Sequence, residues 1–597
     1  MLHTENKTIK FDLFPIQKGY ACYVSGEGKL VYHTNVEDTH EFMAIENHSA
    51  FWCRPFWGKS LSELPERTQA LLIKKGDRYT YYLPICDSVF KTLIRGRDGG
   101  FAFYTYSNCE SVIECKRQLA FLCVEGNDPL ALMKEAAREA CKLLDNGLKL
   151  RKEKTVPEVF HYLGWCSWDA LQIRVSHEGL MKKVSEFGEK KVPVHFAIID
   201  DMWADVPNLN QVPEGISFGD MVRAMHASKM RSFEGDPKRF PKGMAAAIAD
   251  MKAGGIKEVG VWFPTTGYWA GLDPDGKEAE RQKDITVMLP NGQIIVAPNE
   301  KKATRYFDDQ CARVKAWGGD FVKIDNQGFH KRYENVAPIG ESARAIQHGI
   351  DAAVDKHFDG ALINCMGMPS ECMYNRTSVV SRCSEDFIPE SREWFAKNVL
   401  QCSYNGLLQG QFYVNDWDMW WTDDEQAIKN SICRAISGGP IYISDKIGRT
   451  NPEILKPLCL EDGRILLADE SATPTADCLM ENPTTTDRLF KIRNRIGQNG
   501  VCALFNINAE NKPVSGTLAP YETGIADGDY LYYEYFTKQT GVLKQGESLS
   551  ITLSDNDDLR LYSFAPMGEG VDDYPGRTDL FMGVALQKKS TEKECSK

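Results

Sequence analysis

Between residues 158 and 460, apolar runs of strand length alternate with amphipathic stretches of helix length, and this alternation leaves few folds open. Strand, helix and parallel strand in succession are the unit of α/β architectures. Candidate strands fall at 160–168, 194–200, 257–263, 320–326, 361–365, 378–384, 406–412 and 439–443. Several helical stretches end in a glycine pair, as in Lys252-Ala253-Gly254-Gly255 and Ala316-Trp317-Gly318-Gly319, which is a helix stop signal. Eight such units in roughly 300 residues predict a closed (β/α)8 TIM barrel. No Gly-x-Gly-x-x-Gly opens the first unit, so a doubly wound nucleotide-binding sheet loses its main support.

A chain of 597 residues exceeds what one core organises, and further domains are expected. Residues 1–127 alternate Val, Phe, Tyr and Thr runs with Gly and Asp turns, for example Arg78-Tyr79-Thr80-Tyr81-Tyr82-Leu83-Pro84, and predict an N-terminal β-sandwich. Helix spacing from Asp128 to Leu144 and a Lys-rich stretch predict a helical linker over 128–157. The barrel follows at 158–460. Runs such as Asp529-Tyr530-Leu531-Tyr532-Tyr533 predict a C-terminal antiparallel β domain over 461–566, and a polar tail occupies 567–597.

Composition excludes several function classes. A net charge of −12 disfavours nucleic acid, whose binders concentrate positive charge on one face. No apolar run approaches the roughly 18 residues of a membrane helix. The 18 cysteines contain no C-x-x-C pair, so neither a zinc site nor a dithiol motif is expected, and most are read as buried thiols. No secretory signal precedes Phe11, so a cytoplasmic location is expected, with periplasm or secretion applying if a leader has been removed. A small neutral ligand is the expected partner, without metal or cofactor.

The polar residues on the strands point to chemistry. In Phe321-Val322-Lys323-Ile324-Asp325 the period of two puts Phe321, Lys323 and Asp325 on one face. Val322 and Ile324 must meet the helices, so Lys323 and Asp325 face the barrel interior near a strand's C-terminal end, where enzymes of this fold keep their active sites. An incidental ion pair is the bland alternative. In Arg382-Cys383-Ser384-Glu385-Asp386 the same alternation groups Arg382, Ser384 and Asp386 and turns Glu385 away, making Asp386 the better catalytic candidate. The alternative there is a cap for a helix starting near Pro389. Asp200-Asp201 ends another strand with two adjacent carboxylates, which repel unless a ligand, cation or arginine holds them. Trp165, Trp168, Trp203, Trp262, Tyr268, Trp269, Trp417, Trp420 and Trp421 recur at the same end. One such ring is more often core than ligand platform, but carboxylates and tryptophans converging on strand ends are the composition of a sugar site. No Ser/His/Asp triad signature accompanies them.

With these motifs in hand, the chain resembles the raffinose synthase and seed imbibition protein branch of glycoside hydrolase family 36, within the α-galactosidase superfamily. The resemblance is carried by Leu163-Gly164-Trp165-Cys166-Ser167-Trp168-Asp169-Ala170, Asp200-Asp201-Met202-Trp203, Gly267-Tyr268-Trp269, Lys323-Ile324-Asp325-Asn326-Gln327, Arg382-Cys383-Ser384-Glu385-Asp386-Phe387, Asp416-Trp417-Asp418-Met419 and Ala435-Ile436-Ser437-Gly438-Gly439-Pro440. It implies double displacement, with Asp325 as nucleophile and Asp386 as general acid/base. Lys323 is then expected to keep Asp325 ionised, and Asp386 to sit where it stays protonated. The resemblance further implies a galactose pocket in which Asp200 and Asp201 meet the 4- and 6-hydroxyls, Lys323 the 3- or 4-hydroxyl and Arg382 the 2-hydroxyl. Trp165, Trp262, Cys365 and Asp416 complete its substrate-binding set.

Three departures concern the leaving-group and acceptor side: Met202 where a glycine is common, Glu385 for a common aspartate, and Phe263-Pro264-Thr265-Thr266 before Gly267. The expected activity is therefore a retaining α-galactosidase hydrolysing raffinose-type or related galactosides. A raffinose-synthase-like galactosyl transferase and an α-N-acetylgalactosaminidase are the nearest variants. Of other classes, a non-catalytic carbohydrate-binding protein meets the objection of an intact Asp325/Asp386 pair. A metal-dependent hydrolase using Asp200, Asp201, Asp416 and Asp418 lacks supporting histidines.

Overall fold

The computed structural model of the chain describes residues 2–213, 215–568 and 574–586. Of the expected polar tail, residues 569–573 and 587–597 lie outside the described residues.

Eleven strands between Leu2 and Gly126 form one connected antiparallel network that branches at Thr68–Lys75, which pairs with both Thr39–Glu46 and Arg78–Pro84. Thr68 also bridges Ile94, and this one pair joins the four strands Leu2–His3, Leu30–Thr34, Lys91–Arg97 and Gly100–Tyr106 to the other seven. The core of the network is aromatic, with the Phe103 and Phe121 rings stacked at 3.9 Å and Phe42, Phe101 and Tyr82 around them. Helix α1 (Pro129–Leu144) follows. Asp128 caps it by accepting from Leu130 N and Ala131 N, and Pro129 fills the first turn, where no donor is needed.

The second sheet is entirely parallel and has eight strands: β1 (Leu163–Cys166), β2 (Phe196–Ile199), β3 (Glu258–Pro264), β4 (Phe321–Asp325), β5 (Leu362–Asn364), β6 (Val380–Arg382), β7 (Val414–Asp416) and β8 (Ile441–Ile443). Their spatial order is β7-β6-β5-β4-β3-β2-β1-β8. Among the described residues no backbone ladder joins β7 to β8. The seam is closed in another way: Gly439 lies so near β7 that an added Cβ would fall 2.0 Å from the Asn415 carbonyl oxygen. The Tyr442 hydroxyl of β8 donates to Asp416 Oδ2 of β7 at 2.6 Å.

The deep layer of the barrel is packed with rings. Phe160, Phe196 and Phe321 meet edge to face with centroids 5.5–6.0 Å apart. Gly164 and Gly260 leave them room, since a Cβ at either would lie 2.2 or 2.3 Å from the Phe196 or Phe321 ring. Filling this layer with hydrocarbon leaves the strands' C-terminal ends for polar side chains, as the period of two requires.

One expected strand is a helix. Residues 406–411 belong to the end of α2 (Arg392–Leu408) and the 3-10 turn Gln409–Gln411 that follows, Phe412 closes that turn, and the seventh strand is Val414–Asp416. From Asn398 to Leu408 this helix is buried on all sides, so it shows no amphipathic period, and its apolar end reads as a strand. Gly406 and Gly410 let it approach the backbone near Ser471 and Ala472.

Beyond residue 470, six strands between Thr473 and Pro566 form an antiparallel sheet, beside the hairpin-like pair Val514–Leu518 and Leu549–Leu553. They share a core of Leu489, Cys502, Leu504, Tyr530, Leu553 and Phe564. Part of the expected polar tail is docked: Leu580, Phe581, Met582 and Val584 are buried, and Phe581 N donates to Pro457 O at 2.9 Å. Every described cysteine is free, and all but Cys141 are buried. No described helix is long and apolar enough to cross a membrane.

Candidate active site

The polar layer begins on β4. Lys323 and Asp325 both point inward, as expected, but Lys323 Nζ is committed to Asp200 Oδ2 at 2.7 Å. Asp200 also accepts from the Cys166 thiol at 3.2 Å, and its backbone N–H donates to Ser167 Oγ at 2.9 Å. Asp201 turns the other way and accepts from Tyr268 Oη and Trp269 Nε1, each at 2.7 Å. The repulsion foreseen between these neighbours is thus met by separate donor sets. Burial pushes Asp201 up to about 7, opposed by the Tyr268 and Trp269 hydrogen bonds and reinforced by the Asp200 charge.

Asp325 is held at both oxygens. Trp262 Nε1, from β3, donates to Oδ2 at 3.0 Å, and the Asn326 N–H donates to Oδ1 at 2.6 Å. Its carboxyl nevertheless lies above the usual range: burial is the largest cause, Lys323 pulls it down, and Asp386 pushes it up. Lys323 alone therefore does not hold Asp325 down as expected, because desolvation by burial outweighs its charge.

Arg382, 1% exposed, ties the far wall together. Its Nη1 lies 2.9 Å from Asp418 Oδ1, its Nη2 donates to Asp386 Oδ1 at 3.1 Å, and Nη1 also reaches Cys365 Sγ at 3.7 Å. Asp386 is the outward member, with a side chain 58% exposed. It caps no helix: α2 starts at Arg392 and is capped by Ser391. Glu385 turns away from the barrel, as the alternation required, and binds Gln401 Nε2 at 2.9 Å.

Two expected ligand contacts are corrected. Trp165 faces the helical layer, packing on Phe187 with centroids 6.0 Å apart, and its indole N–H is used by Asp445 O at 3.3 Å. Gly164 and Cys166 flank it on β1 and take the inward positions, so the strand's own period puts Trp165 outside. Asp416 is fully buried, with Oδ2 held by Tyr442 and Oδ1 by the Asp418 N–H at 2.8 Å. It supports Asp418, which is the residue presented to Arg382. Asp418 has φ of +68°, and this left-handed turn past the end of β7 swings its carboxylate back over the barrel. Burial pushes it up to about 6, against the pull of Arg382.

Sequence reasoning missed other members. Asp169, behind β1, is buried and bonded to Ser444 Oγ at 2.7 Å. Burial pushes it up to about 8, and the charges of Asp418, Asp386 and Asp200 add to the effect, so these carboxylates share one field. It stands inside the Trp168-Asp169-Ala170 motif, the only signal for it. Trp52 and His48 had no local signal. Both come from the first β region: the Arg382 guanidinium sits over the Trp52 ring at 5.4 Å, and His48 Nε2 is 2.7 Å from Glu385 Oε1.

Left-handed backbone recurs at the mouth. Met202, Asn326, Met366 and Asp418 have φ of +75°, +58°, +52° and +68°, and they follow β2, β4, β5 and β7. Such conformations cost about 1–3 kcal/mol each and cluster at functional sites. Met202 holds with a side chain a conformation that glycine adopts freely.

The four carboxylates of the metal alternative are held by Lys323, Tyr268 with Trp269, Tyr442 and Arg382 respectively. Among the described residues no group of three or more His, Cys, Asp or Glu is arranged to hold a metal ion.

A family profile described as raffinose synthase or seed imbibition protein Sip1 matches residues 21–512. A probable galactinol–sucrose galactosyltransferase 6 of Arabidopsis thaliana is 28% identical over 529 residues, covering 81% of this chain and 70% of the relative. The galactinol–sucrose galactosyltransferase of Pisum sativum is 28% identical, with 78% and 64% covered. The stachyose synthase of Pisum sativum is 24% identical, with 88% and 78% covered. Among solved structures, a GH36 α-galactosidase AgaA variant of Geobacillus stearothermophilus in complex with stachyose superposes with TM-score 0.59 at 9% identity, covering 94% of this chain and 81% of that one. An α-galactosidase of Lactobacillus brevis gives 0.58 at 11%, covering 94% and 80%. These two likenesses concern the fold.

Proposed function

This chain belongs to the family of raffinose synthases and seed imbibition proteins, and from that premise we propose that it is a retaining enzyme of α-galactosides whose main reaction is galactosyl transfer. The observation that carries the reading is that Asp325, held by Trp262 and the Asn326 N–H, ends β4 and Asp386, held by Arg382, follows β6 of one barrel, beside the ion pairs Asp200–Lys323 and Arg382–Asp418. Hydrolysis, the expectation from sequence, gives way to transfer, because the similar proteins bear the names of galactosyltransferases and a stachyose synthase. Water remains the competing acceptor.

Asp325 attacks the anomeric carbon of a terminal α-galactoside as the bond to the leaving oxygen breaks, and Asp386 gives that oxygen its proton. In the second step an acceptor hydroxyl attacks the same carbon, its proton passes to Asp386, and the Asp325 ester is released. Two inversions retain the configuration. Trp262 and the Asn326 N–H orient the nucleophile and stabilise its anion. A saccharide seated over Asp386 takes its carboxyl out of water, the setting a proton donor needs. Buried charged groups suit discrimination between sugar epimers, since a misplaced hydroxyl leaves one of them unpaired. Cys365, Trp52 and Asp418 crowd Arg382, which favours a hydroxyl over an acetamido group beside it.

The test is proton NMR of products from melibiose, raffinose and galactinol, each with and without sucrose. Retained configuration and a galactosylated sucrose are expected, and inverted galactose overturns the assignment. Asp386→Asn is expected to lose ~10²–10⁴-fold in turnover, and Asp325→Asn all measurable turnover. Wild-type rates in either folded variant reject the site.

A further inference from the structure

A pocket of about 490 Å³ forms where Lys18 of the first β region, α1, the residues just after it, the end of α2 and the C-terminal sheet come together. Its volume is that of a small-molecule site, about 300–1,000 Å³. Seven lysines and arginines line it against three carboxylates, a local excess of positive charge in a chain whose net charge is −12. Those carboxylates are already engaged. Glu135 binds Arg138 Nη2 at 2.5 Å, Glu470 holds Lys134 Nζ at 3.0 Å and Arg495 Nε at 3.4 Å, and Asp469 Oδ2 accepts from the Gly497 N–H at 2.9 Å. Lys18, Arg151 and Lys152 form no ion pair among the described residues.

Three buried polar atoms of the lining lack hydrogen-bond partners among the described residues: Arg151 Nε, Arg493 Nε and Thr473 Oγ1. Arg493 and Thr473 are each only 6% exposed. Buried polar groups in folded proteins are nearly always paired, and each exception calls for a reason. Arg493 Nη1 reaches Thr523 O at 3.3 Å and stands 4.0 Å from Glu470, so one carboxylate is divided among three cations. Burial pulls Arg151 down to about 10 and Arg493 below its ordinary value, against the Glu470 charge, a cost that a bound anion offsets.

We propose that this pocket binds a small sugar phosphate, with the phosphate on the arginines and the Thr473 hydroxyl. Guanidinium forks match phosphate oxygens, and charge-assisted hydrogen bonds are the strong ones. No aromatic ring is among the described lining residues, so nothing is offered to the face of a nucleobase, whereas Gln411 and Ser471 supply side-chain oxygens for sugar hydroxyls. None of the lining residues belongs to the candidate active site, so the proposal stands apart from the galactosyl reading.

The test is calorimetry on the full chain in phosphate-free buffer at fixed ionic strength, with glucose 6-phosphate, inorganic phosphate, citrate and ATP as probes. Glucose 6-phosphate is expected to bind most tightly. Thr473→Val removes the hydroxyl and keeps the shape, and Lys18→Glu combined with Lys152→Glu reverses two exposed charges. Each change is expected to weaken glucose 6-phosphate by about tenfold or more, and the exposed pair to leave the ligand-free melting temperature unchanged. Unchanged affinity in either folded variant, or no binding to wild type, overturns the proposal. Inorganic phosphate, citrate or ATP binding as tightly as glucose 6-phosphate overturns the sugar phosphate as occupant.

Discussion

Replacing Trp262 by Phe removes one hydrogen bond at the centre of the proposed chemistry and keeps an aromatic ring in its place. Asp325 has two fixed donors, the Trp262 indole at 3.0 Å and the Asn326 N–H at 2.6 Å. Both favour the carboxylate over the acid, and burial opposes them strongly enough that the group already lies above its ordinary range. A hydrogen bond to a charged group contributes about 1.5–3 kcal/mol. Its loss disfavours the Asp325 carboxylate by that energy and moves the group further up. Asp325 must be ionised to attack, so the acid limb of kcat/KM for an aryl α-galactoside shifts to higher pH, and the profile of kcat/KM reports the free enzyme. Near-ultraviolet circular dichroism checks that the variant is folded. A limb that stays in place, or that moves to lower pH, refutes the claim that Trp262 stabilises the Asp325 anion.

Lys91→Met leaves Glu371 buried without its partner, since their side chains are only 3% and 6% exposed, and is expected to destabilise the protein by about 3–5 kcal/mol in urea unfolding. An unchanged midpoint would show that the pair does not tie the first β region to the barrel. Asp201, raised to about 7, keeps in the folded state a proton that the unfolded chain releases near pH 4, so it makes stability fall as pH rises between roughly 4 and 7. Asp201→Asn is expected to make that fall shallower by up to about 1.4 kcal/mol per pH unit, read from urea midpoints across the range, and a wild-type slope refutes the assignment. Gly439→Ala drives a methyl against the Asn415 carbonyl and is expected to cost about 1–3 kcal/mol or more. A melting temperature equal to wild type would mean that the seam between β7 and β8 yields freely.

Much of this was legible because a parallel barrel writes itself into sequence twice, in the spacing of its strands and in the period along each. Six of the eight expected strand ranges contain the observed strand and a seventh, 257–263, falls one residue short of its end at Pro264, and β4 presents Phe321, Lys323 and Asp325 inward as its alternation required. The eighth failed because α2 is buried on all sides, so burial erased the period that marks a helix. Trp165 was misplaced because the resemblance was followed against the strand's own alternation, which puts Gly164 and Cys166 inside. Asp418 lies past the end of β7, where a left-handed turn sets its direction and no strand period applies. Trp52 and His48 were out of reach: their contacts with Arg382 and Glu385 join segments more than 300 residues apart, and no local pattern encodes such a meeting.

That separation also has a temporal side. The first β region leaves the ribosome early and can fold as a unit, whereas the loop carrying Glu385 follows His48 by 337 residues. At about 5–20 residues per second, roughly 17–67 s pass between them. For that interval Trp52 and His48 stand without Arg382 and Glu385, the partners they meet in the folded chain. A barrel produced by itself would emerge with Arg382 and Glu385 lacking those two contacts.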